Sequence, residues 1–126
     1  MKRVLSLSLI AAAAFALAVE SVTPSDIVKS PDKFDKKEAT VVGFVKKFKA
    51  RTSKAGNDYF IFDLTKGGDK IAIYGHGKLE KDLKDGDKVE VKGIFTKEKT
   101  VGQSTFKNEL DCSGKRGEKP NLKVLK

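Results

Sequence analysis

The sequence contains very little cysteine, histidine or tryptophan, and this scarcity excludes several kinds of site. Of its 126 residues one is Cys, one is His and none is Trp. One Cys cannot form an intrachain disulfide, and one Cys with one His cannot complete a Cys/His zinc site. No carboxylate pair, phosphate-binding loop or nucleophile elbow stands in a catalytic context. We therefore expect a protein that is not an enzyme and that carries neither a cofactor nor a metal.

Length and charge set the next limits on the interpretation. A chain of 126 residues accommodates one domain at most, and a hydrophobic fraction of 39% is enough for a folded core. Lys and Arg number 26 against 17 acidic residues, which gives a formal net charge of +9. This excess favours an anionic partner and says nothing about the fold.

The N-terminus has the pattern of an export signal. Lys2 and Arg3 precede an uncharged run from Val4 to Val19, and Ala16-Leu17-Ala18 has the small-x-small form of a cleavage site. The run is too short to span a bilayer. We predict a cleaved signal peptide over residues 1–18, a periplasmic or secreted location, and no transmembrane anchor after cleavage.

Cys112 is unusual for a protein predicted to be exported. A lone thiol in an oxidising compartment is either buried and inert or available to pair with another molecule. Burial is the interpretation we favour, because free Cys is among the residue types most often found inside proteins. Asp111 beside it would raise the pKa of the thiol, which does not suit a nucleophile.

Most of the chain after the signal predicts β-strands. Runs rich in Val, Ile and Phe, several with alternating apolar residues, are separated by Gly-containing turns. The predicted strands are 39–48, 59–64, 71–74, 88–95 and 105–110. Gly43 inside the first strand indicates a bulge or a sharp bend. The predicted organisation is a lead-in over residues 19–37, a domain over 38–112 and a basic, loop-like tail over 113–126.

Helical structure is predicted in two places, in the lead-in before the first strand and between the third and fourth strands. Thr23-Pro24-Ser25-Asp26 is a good helix start, because Thr is an N-cap residue and Pro suits the first helical position. A second turn at 31–34 would place Phe34 against the core. Between the third and fourth strands, Leu79 and Leu83 are spaced as on one face of a helix, and Gly86 suits its end. The expected class is therefore all-β with short helices.

This order of elements, with a short helix between the third and fourth strands, resembles the OB-fold, a five-stranded Greek-key barrel. The sequences 41–45, 52–56, 60–64 and 83–93 resemble the nucleic-acid-binding OB family, which includes anticodon-binding domains of aminoacyl-tRNA synthetases and the OB domain of bacterial replicative polymerases. The lead-in resembles that of small exported bacterial OB proteins. The resemblance implies an OB barrel from about residue 38 to residue 112.

Strand alternation separates core residues from candidate binding residues. Phe60, Phe62 and Leu64 should fill the barrel, together with Val41, Gly43 and Val45 of the first strand and Ile71 and Ile73 of the third. The residues between them point outward, and the resemblance implies that bases stack on this outer face. The predicted outward-facing residues include Phe44, Tyr59, Ile61 and Tyr74.

Basic residues are concentrated beside these aromatic residues. From Val41 to Leu64 there are five basic residues and two acidic ones, whereas residues 19–40 hold four basic and five acidic residues. The predicted phosphate contacts are Lys46, Lys49, Arg51 and Lys54. His76 stands between two glycines after the third strand and suits a phosphate contact, a metal or haem ligand, or plain surface.

An aromatic face with a basic rim predicts binding of single-stranded nucleic acid with little sequence specificity. Two alternatives stay open. The first is an envelope-associated module that binds an anionic glycan or lipid headgroup. The second is a protein-interaction module that uses the sheet edge or Cys112. Ordinary solvated lysines and cross-strand packing of Tyr would produce the same pattern without any ligand.

Overall fold

The computed structural model describes residues 21–115 and 118–125, so the predicted signal peptide at 1–18 lies outside the described residues. Two short helices precede six strands. Their bounds are α1 Pro24–Lys29, α2 Pro31–Phe34, β1 Lys37–Thr52, β2 Asp58–Lys66, β3 Asp69–His76, β4 Lys88–Val101, β5 Ser104–Asp111 and β6 Leu122–Val124. Within the described ranges, no helix combines the length and the apolar character that a membrane span needs.

Five strands close into a barrel. β1 pairs antiparallel with β4 and then with β2, β2 pairs antiparallel with β3, β3 pairs parallel with β5, and β5 pairs antiparallel with β4. The resulting order β1-β2-β3-β5-β4 returns to β1 and leaves no open edge among these five strands. This is the OB-fold barrel, so the predicted fold class is confirmed.

The barrel interior has the composition that strand alternation predicted. The side chains predicted to point inward on the first three strands are all buried, as are Val89 and Val91 of β4, whereas Tyr59, Ile61 and Tyr74 lie on the outer face and are half-buried. Phe60 and Phe62 stack with their ring centroids 6.2 Å apart. Each fully buried Phe, Leu or Ile stabilises the fold by about 1.5–3 kcal/mol, which makes this interior the main source of barrel stability.

β1 changes partners at its middle, and Gly43 lies at the change. Gly43 is opposite Val89 of β4, and Phe44 is opposite both Lys88 of β4 and Thr65 of β2. A Cβ on Gly43 would come within 2.9 Å of Leu64 Cγ and of the Thr65 carbonyl oxygen. Only glycine lets β2 approach this closely where β1 bends from one partner to the other.

A β-bulge follows four residues later, between Lys46 and Lys49. Lys47 has a positive φ of 59°, and its backbone N–H donates to Asp85 Oδ1 at 3.0 Å. The extra residue shifts the alternation, so that Phe48 points into the barrel, with its ring centroid 6.0 Å from that of Phe60. Lys49 consequently lies on the outer face.

The helix predicted between β3 and β4 is wrong, because residues 77–87 are irregular. The backbone of this segment completes the ladder along β1 instead. Gly86 N–H donates to the Val45 carbonyl and Val45 N–H donates to the Asp87 carbonyl, both at 2.9 Å. These long-range hydrogen bonds satisfy buried backbone groups that a helix would leave unpaired. Leu83 is nevertheless buried, as its spacing indicated.

The helix that packs against the barrel precedes β1. Thr23 and Asp26 form the predicted start of α1 as a capping box, in which each side chain accepts a hydrogen bond from the other's backbone N–H. Ile27 of α1 is 0% exposed within the core, and Ser25 Oγ donates to the Lys66 carbonyl at 2.7 Å. Phe34 of α2 also packs against the core, as predicted.

The C-terminal segment is more ordered than the predicted loop. Residues 122–124 form β6, which pairs antiparallel with Val89–Val91 of β4, and Leu122 packs against the core. Cys112 is 0% exposed, which confirms the predicted burial. Burial and the neighbouring Asp111 carboxylate raise the pKa of the Cys112 thiol to about 12, so the thiol is neutral and poorly nucleophilic at physiological pH.

Replacement of Ile27 by Ala tests whether α1 is part of the barrel's cooperative unit. The change removes buried methyl groups from the core, and we expect the free energy of unfolding to fall by about 2–4 kcal/mol. Lys29→Ala on the same helix is the matched control and should change it by less than about 0.5 kcal/mol. Urea denaturation measures both variants. Equal, small changes in the free energy of unfolding for the two variants would show that α1 is not part of the barrel's cooperative unit.

Candidate functional site

An open groove of about 620 Å³ runs across the outer face of β2 and β3. Its floor is the sheet itself, one wall is the end of β1 with the following loop, and the other wall is the β4–β5 hairpin. The residues that line it are Lys47, Lys49, Ser53, Tyr59, Ile61, Phe62, Asp63, Ala72, Ile73, Tyr74, Lys99, Val101, Phe106 and Glu109.

Aromatic rings are clustered at one end of the floor. Tyr59 and Tyr74 project from adjacent strands, with ring centroids 5.7 Å apart and planes inclined by 34°. His76 meets Tyr74 edge-on at 5.2 Å between ring centroids, and Tyr74 Oη lies 3.4 Å from His76 Nδ1. Three predicted site residues are thus brought together, and Ile61 lies beside them opposite Tyr74.

The bulge in β1 determines which basic side chains face the groove. After it, Lys49 lies opposite Ile61 and Arg51 lies opposite Tyr59. Lys49 lines the groove. Arg51 and Lys54 are exposed but do not line it, and Lys54 lies in the β1–β2 loop. Among the described residues, these three side chains form no ion pair within 4 Å, and neither does Lys47. Their positive charge is therefore available to a ligand.

Two of the predicted site residues lie away from the tyrosines. Phe44 is opposite Thr65, six residues along β2 from Tyr59, which corresponds to about 20 Å of extended strand. Its ring lies under Lys66 Nζ, 5.8 Å from the ring centroid. Lys46 is exposed opposite Asp63 and does not line the groove. The alternation pattern correctly placed Phe44 and Lys46 on the same face as the tyrosines. It could not predict how close they lie to the tyrosines, because the face extends along the whole strand.

The second wall is the β4–β5 hairpin, which is longer than the strand patterns predicted. The predicted strands 88–95 and 105–110 leave Lys97-Glu98-Lys99 in a loop between them, but β4 continues through these residues to Val101. Gly102, with φ of 63°, makes the tight turn between the paired residues Val101 and Ser104. The Gly-Gln dipeptide between two alternating segments was the available signal for this long hairpin.

The hairpin brings exposed apolar side chains to the groove. Val101 is 57% exposed and Phe106 is 43% exposed, and both line the groove. Phe106 lies opposite Lys99, so an apolar and a cationic side chain share this part of the wall. Large apolar side chains left exposed beside a groove are typical of a binding surface.

One ion pair in the groove joins a buried carboxylate to a partly exposed ammonium. Lys99 Nζ lies 2.6 Å from Glu109 Oε1, and Glu109 is 8% exposed. The hydrogen bond to Glu109 raises the pKa of the Lys99 ammonium. Lys99 Nζ also lies 5.8 Å from the centroid of the Tyr74 ring, within cation–π range. Both acidic residues that line the groove thus have a cationic neighbour, because Asp63 of β2 is 3.7 Å from Lys70 Nζ.

Metal ligation finds no support among the described residues, where no group of three or more His, Cys, Asp and Glu side chains has the geometry to hold an ion. His76 instead contacts Tyr74, and its backbone N–H donates to Ser113 Oγ at 3.0 Å. This geometry places His76 at the exposed edge of the aromatic cluster.

Comparisons with known proteins bear on the fold. The sequence matches no protein-family model and no curated protein. Its structure is similar to a crystal structure of yeast Stn1 and Ten1, with a TM-score of 0.58 and 13% sequence identity across 87% of this chain. The chain spans 64% of the yeast chain, less than two thirds of its length. At this identity the likeness supports the OB barrel alone.

The environment of Tyr74 yields a prediction about its ionisation. Burial of the phenol, together with the nearby Asp111 carboxylate, raises the pKa of Tyr74 above its usual value of 10.0. In a Tyr59→Phe variant Tyr74 is the only tyrosine, and the ultraviolet absorbance of tyrosinate should appear with a midpoint above pH 10. The same variant unfolded in urea is the control and should titrate near 10. A folded midpoint at or below the unfolded one would contradict the half-buried position of the phenol.

Proposed function

We propose that this OB-fold protein binds single-stranded nucleic acid in the groove across β2 and β3, with little sequence specificity along most of the strand. The observation that carries the proposal is the Tyr59–Tyr74 pair on an open sheet face between a basic wall and an apolar hairpin. OB barrels commonly bind oligonucleotides on the strand 2–3 face between the loops that join strands 1–2 and strands 4–5.

The aromatic floor suits bases. Each base has a π-face, and stacking on an aromatic side chain contributes about 1–3 kcal/mol per base without distinguishing sequence. Tyr59 and Tyr74 are half-buried rings held by adjacent strands. They are thus positioned in advance, and little conformational entropy is lost when a base stacks on them.

The basic wall suits phosphates. Lys47, Lys49, Arg51 and Lys54 follow one another along the end of β1 and the loop after it, and the described residues give them no ion-pair partner. A strand whose bases lie on the tyrosines would direct its phosphates toward this wall. Each phosphate neutralised releases counterions, which makes such binding strongly dependent on salt.

The hairpin completes the groove on the opposite side. Val101 and Phe106 offer apolar surface that would cover the bases from the side away from the phosphates. Such a division between an apolar and a cationic wall orients a single strand, whereas a lipid headgroup or a sulfated glycan needs only the cations. This is why we rank nucleic acid above an anionic envelope polymer.

We further propose that the protein acts outside the cytoplasm as a binding protein, not as an enzyme. The support is the sequence pattern of residues 1–19, with Lys2 and Arg3 before an uncharged run and Ala16-Leu17-Ala18 before Glu20. N-terminal sequencing of the protein from an expressing bacterium should find a chain that begins at Val19. A chain that retains Lys2 and Arg3 would contradict export by cleavage.

Removal of one floor ring tests the site. We expect Tyr74→Ala to weaken the binding of a fluorescein-labelled oligonucleotide about tenfold, as measured by fluorescence anisotropy, because one base loses its stacking partner. Phe44→Ala is the matched control, because Phe44 is an outward aromatic residue on the same barrel but away from the groove. Equal losses in the two variants, or none in Tyr74→Ala, would contradict the proposed site.

Salt dependence tests the role of the basic wall. If four phosphates are contacted, the affinity of the unmodified protein should fall roughly 50-fold between about 50 and about 200 mM salt. Lys49→Ala should reduce the slope of log affinity against log salt by about 0.7, the value of one single-strand phosphate contact, and Lys29→Ala on α1 should leave it unchanged. Binding to a sulfated polysaccharide that survives Tyr74→Ala would favour the anionic-polymer alternative.

A further inference from the structure

The groove contains one buried carboxylate whose hydrogen-bonding capacity is only partly used. Glu109 lies on β5 opposite Ala72 of β3 and lines the groove. Its Oε1 accepts a hydrogen bond from Lys99 Nζ, and the carboxylate makes no other side-chain hydrogen bond among the described residues. An ionised carboxylate accepts about four hydrogen bonds when fully satisfied, so Oε2 can accept from a ligand.

The carboxylate lies beside a proposed stacking position. Lys99 Nζ, which bonds Glu109, is 5.8 Å from the Tyr74 ring centroid, and Ala72, opposite Glu109, is two residues before Tyr74 on β3. Because Lys99 Nζ lies over the Tyr74 ring, a base stacked on Tyr74 has to lie beside this ammonium, and its edge would then face Lys99 and Glu109. It would also displace the water that reaches the open groove, so the base edge itself has to satisfy Oε2.

We propose that Glu109 selects nucleobases that carry an exocyclic amino group at the Tyr74 position, an inference that rests on the proposed nucleic-acid function. Cytosine, adenine and guanine each present an amino N–H that a carboxylate accepts, and pairing of Glu with cytosine N4 is a known mode of readout. Thymine presents its only ring N–H between two carbonyl oxygens, which the carboxylate repels.

Lys99 makes the acidic Glu109 compatible with a groove that binds a polyanion. Its ammonium neutralises Glu109, so that the carboxylate does not repel the phosphates of the strand. It also adds a donor next to the acceptor, which suits the ring nitrogen N3 beside the amino group of cytosine. The pair is therefore a donor–acceptor edge that matches amino-bearing bases better than thymine.

Two pyrimidine homopolymers of equal length test the selection. By fluorescence anisotropy, the unmodified protein should bind oligo-dC about tenfold more tightly than oligo-dT. Glu109→Gln keeps an acceptor for Lys99 but adds a donor, so the ratio of the two affinities should fall to near one. Glu98→Gln is the matched control, because Glu98 is an exposed hairpin residue that does not line the groove, and it should keep the preference.

A change in the ligand makes the test independent of variant folding. An oligonucleotide of 2-pyrimidinone, which is cytosine without its amino group, should bind the unmodified protein about as weakly as oligo-dT. Equal or tighter binding of oligo-dT than oligo-dC, or a preference that persists in a folded Glu109→Gln variant, would overturn the selection by Glu109 and leave the proposed function standing. Failure to bind any of these oligonucleotides at low salt would overturn both.

Discussion

The structure depends on one strand that pairs with two partners in turn. The first half of β1 closes the barrel against β4, and its second half pairs with β2. Gly43 permits the bend and the Lys46–Lys49 bulge adds the twist, after which Phe48 enters the core and Lys49 turns outward. The same bulge therefore completes the core and directs the basic wall toward the groove.

Local sequence patterns predicted the elements that depend mainly on local physics. Alternation placed Phe60, Phe62 and Leu64 inside and the tyrosines outside, and the capping residues of α1 marked its start, because strand pleat and helix caps act over a few residues. The helix expected around Leu79 and Leu83 is absent, because the end of this segment instead pairs with the N–H and carbonyl of Val45, which is far away in the sequence. Phe44 was grouped with the tyrosines because alternation gives a side chain's face but not its position along that face.

The Lys99–Glu109 pair could not be predicted from sequence patterns for the same reason. Lys97-Glu98-Lys99 has the composition of ordinary surface, and only the length of β4 and β5 brings Lys99 over Tyr74 and Glu109 beside it. An acidic residue inside a basic groove would count against nucleic acid if charge alone were considered. In the folded protein it is neutralised by Lys99, and the pair becomes a polar edge next to a stacking surface.

The central claim is that a nucleic-acid strand lies on the tyrosine floor. The chain has two tyrosines and no tryptophan, and both tyrosines line the groove, so the intrinsic fluorescence of the unmodified protein reports on the floor alone. Titration with an unlabelled oligonucleotide at low salt should quench this fluorescence to a plateau, because bases stack on the rings, and added salt should restore it. Binding that is detected by anisotropy without any change in tyrosine fluorescence would place the ligand elsewhere and contradict the account.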